Sequence, residues 1–205
     1  MASSKPRRGG RTAIEFEQHL RETGEYEEIL EHQRKQEEEW RQRAVEERLA
    51  AAALYRDLEG AGCRVDSVWN LCERAPYPAA VPVLVKHLAV LYPTKVRQGI
   101  AHALAVPEAR SEWDQLVRLY KDEQDEYVKQ GIAVAISAAA HKDKLADVIS
   151  LVRDESLGTS RGLLLRKLSR SRDPRASSAL LELVKDPDLA REIRLILRRK
   201  GIKVP

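Results

Sequence analysis

At 205 residues, 43% hydrophobic and 33% charged, with one Phe, three Trp and six Tyr, the chain is composed like a protein with much surface for its mass. No apolar run approaches the roughly 20 residues of a membrane span, and no apolar segment follows the basic N-terminus as a secretory signal requires, so a cytoplasmic protein is expected. The net charge of +4 hides an asymmetry: residues 1–12 hold four Lys or Arg and no acid, 13–50 six against twelve, 51–140 ten against eleven, and 141–205 sixteen against nine.

Residues 1–12 are too polar to order themselves and read as a flexible basic tail. Thr12 and Glu15 then have capping-box spacing for a new helix, and Gly24 ends it. Residues 13–47 read as a charged helical arm. Within it EHQRKQEEE (31–39) has no apolar residue before Trp40, yet its straight-chain residues favour helix and Glu31–Lys35 and Glu37–Arg41 are opposite charges four apart. Such a helix has nothing of its own to pack on. Either it is simply solvated, or it docks on a partner through Tyr26, Ile29, Leu30 and Trp40.

From Arg48 the texture becomes one of short apolar-faced helices separated by turn signals. Residues 48–62 and 65–77 form the first candidate pair, followed by 79–91 with 93–106, 112–123 with 125–140, 143–155 with 158–171, and 174–185 with 188–200. Pro78 and Pro93 suit first turns, Ser111 and Asp173 suit N-caps, Pro174 suits the first helical position, and Gly201 suits a helix stop. No run alternates with the period of a strand, so the class is all-α. Cys63 and Cys72 match no zinc spacing and are expected to be inert buried thiols, with a disulfide as the minor alternative.

The line VRQGIAHALA (96–105) returns as VKQGIAVAIS (128–137), 32 residues on. Val96, Ile100, Ala103 and Leu104 lie on one helical face, as do Val128, Ile132, Ala135 and Ile136. Gly99 and Gly131 sit beside that face although a helix-interior glycine costs about 1 kcal/mol relative to alanine. Close approach of a neighbouring helix explains the choice. A helix-pair period of this length is the mark of a stacked repeat array.

Residues 81–105, 113–137, 145–168 and 178–197 resemble HEAT repeats, in which an acid after the first helix and a base opening the second form a ladder. The bases here are Arg97, Lys129, Arg161 and Arg191, and the acids are Asp122, Asp154 and Asp186. The resemblance covers about residues 65–201 and implies a right-handed α-α superhelix of four to five helix pairs over residues 48–205. Its ladder ties adjacent repeats together or meets an anionic partner.

If second helices line a groove as in that family, the surface is Arg97, Gln98, Ala101 and His102 with Lys129, Gln130, Val134 and Ser137, joined by Arg161 and Arg191. Arg166, Lys167, Arg170, Arg194, Arg198 and Arg199 are the candidate phosphate contacts; the alternative is a solvated cap on the last repeat. No catalytic, cofactor or metal signature stands out. The expectation is a non-enzymatic scaffold or adaptor for a protein partner, with nucleic-acid backbone binding as runner-up. A DNA glycosylase of helical-repeat type is a remoter option, because Trp113 and Asp114 fall on a first helix.

Overall fold

In a computed structural model the protein is described over residues 21–203 except Gly24; the predicted basic tail and the Thr12 capping box lie outside the described residues. The chain divides after Glu46 into two compact units. Among the described residues every regular element is helical.

The first unit is carried by α1 (Glu25–Ala50), whose last residues belong to the second. Over residues 31–43 every side chain is exposed. What supports the helix is its own ladder: Glu31–Lys35 at 3.7 Å, Glu37–Arg41 at 3.9 Å and Glu39–Arg43 at 3.1 Å, each worth a few tenths of a kcal/mol. Ile29 and Trp40 are exposed, and Tyr26 and Leu30 half-buried.

The second unit is a series of helix pairs in two layers. The first layer takes α2 (Ala52–Gly60), α3 (Ala80–Leu88), α5 (Trp113–Asp122), α7 (Leu145–Arg153) and α9 (Pro174–Glu182). The second takes a 3-10 segment (Val68–Arg74), α4 (Thr94–Ala103), α6 (Glu126–Ala139), a 3-10 segment (Glu155–Leu164) running into α8 (Leu165–Arg170), and α10 (Ala190–Arg199). α4 packs between the Val68–Arg74 segment and α6, and α6 between α4 and the Glu155–Leu164 segment. One hydrophobic core runs through the unit from Ala51 to Leu197, fed by each pair in turn. No pair can bury its apolar face alone, so the array stands or falls with its neighbours.

The glycines mark the seams of the second layer. A Cβ on Gly99 would lie 2.5 Å from Val68 Cγ1, and one on Gly131 would lie 2.8 Å from the Cβ of Ala101. Gly162 continues the series against Leu189, at 3.2 Å. At Gly99 and Gly131 a methyl group would force a neighbour to shift, whereas at Gly162 the contact is tight but a small movement of Leu189 would relieve it.

Local signals held unevenly. Asp173 caps α9 by accepting from Arg175 N, with Pro174 in the first turn, and Gly201 ends α10 at φ 70°. Ser111 is not a cap, since its hydroxyl donates to Glu108 O inside a 3-10 turn that precedes α5. The second helices of the first and fourth pairs are 3-10 in large part. In the fourth, Gly158 at φ 67° and ψ −157° breaks the α geometry expected from residue 158 onward. Cys63 is half-buried and Cys72 exposed, so the second thiol is not the buried group expected.

Candidate functional site

The ladder is the first feature to test as a binding surface, and much of it is occupied. Arg161 is fully buried. Its guanidinium donates to both oxygens of Asp186 at 2.6 and 3.0 Å, to Asp188 at 3.1 Å, and to the carbonyls of Val152 and Gly158, both at 3.1 Å. Burial pushes the Asp186 carboxyl up, but Arg161 and the Leu189 and Asp188 amides outweigh it and hold it below the usual carboxylate range. Arg97 repeats the arrangement, donating to Leu88 O and to Glu123 at 2.5 and 3.3 Å.

Both arginines therefore fasten one repeat to the next, and Arg161 is withdrawn from the expected contact surface. The acid serving Arg97 is Glu123, the residue after the expected ladder acid Asp122. α5 ends at Asp122, and the extended backbone of Glu123 turns its carboxylate onto the Gln124 and Asp125 amides as well, at 3.0 and 2.9 Å. Asp154 instead caps the following segment through Ser156 N, while Lys129 lies 5.9 Å above the Tyr120 ring. Arg191 is exposed without a partner among the described residues.

Ala101 must also be corrected. It is completely buried, because it is the contact under Gly131. A second helix in a stack has lateral neighbours as well as a first-layer partner, which leaves only a narrow exposed strip. On that strip lie His102, and half-buried Gln98, Gln130, Val134 and Ser137. Sequence reasoning missed two of its members, Trp69 and Leu163, which are 40% and 39% exposed. The Trp69 ring lies 5.5 Å from that of His102, and its Nε1 would be 2.8 Å from a Cβ at Gly99. The signal for Trp69 was faint because its segment is short and 3-10.

The strip leads to a cleft of about 790 Å³ where the end of α6, the start of α7, and α8 with the turn after it meet. Ser137 lines it, as do Arg166, Lys167 and Arg170, joined by Lys142 and Arg172. Lys167 is partly engaged, donating to Ala140 O. Arg194, Arg198 and Arg199 are exposed on α10 and do not line this cleft. The six phosphate candidates thus divide into two groups.

A polar cluster in the first layer was not foreseen. Asp57 on α2 accepts from Lys86 Nζ at 2.9 Å and faces His87 Nε2 at 2.9 Å, while His87 Nδ1 meets the Tyr92 hydroxyl at 2.7 Å. The hydrogen bond from Lys86, then that with His87, holds the Asp57 carboxyl down to about 2. Desolvation pushes the Tyr92 phenol up, which disfavours the phenolate a nucleophile would need. The cluster clasps α2 to α3. Trp113 is buried with Nε1 donating to Asp147 at 3.1 Å, so it presents no ring to a base.

Among the described residues no three His, Cys, Asp or Glu side chains gather as a metal site would require, and no helix is long and apolar enough to cross a membrane. The chain matches no protein-family model, no curated protein and no solved structure.

Proposed function

We propose that the second unit is a HEAT-like right-handed α-solenoid, acting without catalysis as a scaffold or adaptor that binds a protein partner across its second helices. The supporting observation is the strip itself: exposed Trp69, His102 and Leu163 and half-buried Val134 leave apolar and aromatic surface on successive second-layer elements. Of these, the Trp69 ring is the kind of side chain that anchors protein interfaces. The α1 arm, with exposed Ile29 and Trp40, is a second docking element in this reading. A cytoplasmic setting goes with it, supported by two free thiols.

Nucleic-acid backbone binding is the second reading, favoured by exposed Arg194, Arg198 and Arg199 along one helix. The test is affinity capture from the native lysate, with and without nuclease, using the wild-type chain, Val134→Glu and, as a control on the first layer, Arg118→Glu. The scaffold reading expects a defined protein that survives nuclease, is lost with Val134→Glu and persists with Arg118→Glu. Loss of all material with nuclease refutes it in favour of the second.

A further inference from the structure

The cleft at the end of the strip has a composition that narrows what it takes. Lys142, Arg166, Arg170 and Arg172 are all exposed around it, and none meets a carboxylate among the described residues. The acid in its lining, Asp173, is already engaged by the Arg175 guanidinium at 2.8 Å and by the Arg175 amide at 2.9 Å. Arg166 and Arg170 stand four residues apart on α8, a spacing at which like charges repel. Arg97, Arg153 and Arg161 each have an acidic partner, while among the described residues Arg191, Arg194, Arg198 and Arg199 on α10 do not and stand on an open helix rather than around a cleft. Here positive charge is gathered and left open.

The walls are apolar. Pro107, Ala138 and Leu145 face the same space as the cations, and no aromatic side chain does. Guanidinium forks suit carboxylates and phosphates alike, so the walls decide between ligands. Nucleic-acid strands are gripped by aromatic platforms on which bases stack, and a duplex presents its phosphates along an extended track. A cleft of about 790 Å³ falls within the usual range of small-ligand pockets, roughly 300 to 1,000 Å³, and offers neither platform nor track. It has room for a few residues of a peptide.

We infer that this cleft seats an acidic peptide segment of the protein partner, its Asp or Glu carboxylates on Arg166, Arg170, Arg172 and Lys142 and an aliphatic side chain against Pro107 and Leu145. The inference rests on the protein-binding reading above and adds the chemistry of the bound segment. The strip supplies the apolar contact, and the cleft fixes register and polarity. Charge contacts of this type also raise the association rate and weaken with salt.

The experiment is a fluorescence-anisotropy titration of the full-length chain with three labelled probes: a twelve-residue peptide alternating Glu and Leu, the same peptide with Ser for Leu, and a twelve-nucleotide oligo-dT. The expected result is Glu/Leu binding about tenfold or more tighter than Glu/Ser, since lost aliphatic burial is worth roughly that factor per side chain. Arg166→Glu with Arg170→Glu should weaken it by about tenfold or more, as loss of two charge-assisted contacts implies. Arg172→Glu, in the loop after α8, should act in the same direction and guards against misfolding of the double variant. Arg194→Glu with Arg198→Glu should leave it unchanged.

Equal binding of the Leu and Ser peptides, indifference to both cleft variants, or tighter binding of the oligonucleotide at the cleft overturns the inference. If the peptide result fails while Val134→Glu still abolishes partner capture, the cleft assignment falls alone. Peptide binding at the cleft with capture indifferent to Val134→Glu removes the strip instead.

Discussion

Replacing Asp186 with alanine strands a guanidinium inside the protein. Arg161 is fully buried, and Asp186 accepts from it at 2.6 and 3.0 Å while also accepting from the Asp188 and Leu189 amides, each at 3.0 Å. Asp186→Ala removes all four hydrogen bonds and leaves the charge with Asp188 and two carbonyls. Breaking a buried pair from one side costs about 3–5 kcal/mol. For a unit of this size each kcal/mol lowers Tm by about 2–4 °C, so the expected drop is about 6–20 °C. Arg161→Met removes the charge itself and leaves Asp186 its two amide donors, and should cost less. The exposed Arg175–Asp173 pair is the control: solvent screens it, so Arg175→Ala should move Tm far less than Asp186→Ala.

The assay is thermal unfolding by circular dichroism, with hydrogen exchange to locate the damage. Because the pair joins the fourth second-layer element to the loop before α10, α9 and α10 should lose protection first. A Tm for Asp186→Ala within about 2 °C of wild type would refute the account of the ladder.

Further expectations follow from the same contacts. Gly131→Ala and Gly99→Ala should each destabilise by about 1–3 kcal/mol in urea unfolding despite better helix propensity, since the new methyl lands 2.8 and 2.5 Å from a neighbour. Gly60→Ala, with nothing within 4 Å, should instead stabilise by about 0.5–1 kcal/mol. Asp57 and Asp186 both have depressed carboxyls, so their contribution is present above the unfolded value near 4 and is lost as pH falls through the folded value, about 2 for Asp57. Urea midpoints from pH 6 to 2 should therefore fall less steeply in Asp57→Asn and in Asp186→Asn than in wild type. Trp40→Ala, on the exposed arm, should leave Tm unchanged to within about 0.5 kcal/mol of stability.

What the sequence disclosed, and what it withheld, follows from which contacts are local. The duplicated line carries its apolar face in the helical period and its close approach in Gly99 and Gly131, both features of a single helix. The i,i+4 pairs of α1 are local as well, and Glu31–Lys35 and Glu37–Arg41 stand as read. Ala101 was misplaced because lateral burial between stacked helices comes from a segment 30 residues away and leaves no periodic trace. Glu123 was passed over for Asp122 because the partner of Arg97 depends on where α5 stops turning, one residue beyond the acid that the repeat spacing favoured. The cleft brings Ser137, Lys142 and Pro107 to the Arg166–Arg172 cluster, a meeting of two helix pairs and the turns between pairs that no local motif encodes.

The most direct measurement of the central claim is in-cell photo-crosslinking, with a benzophenone side chain placed in turn at position 134 or 163 on the strip and at position 118 on the first layer. The account predicts a discrete adduct with one protein from positions 134 and 163, insensitive to nuclease, and none from 118. Adducts from 118 alone, equal yields from all three, or adducts that nuclease removes would contradict it.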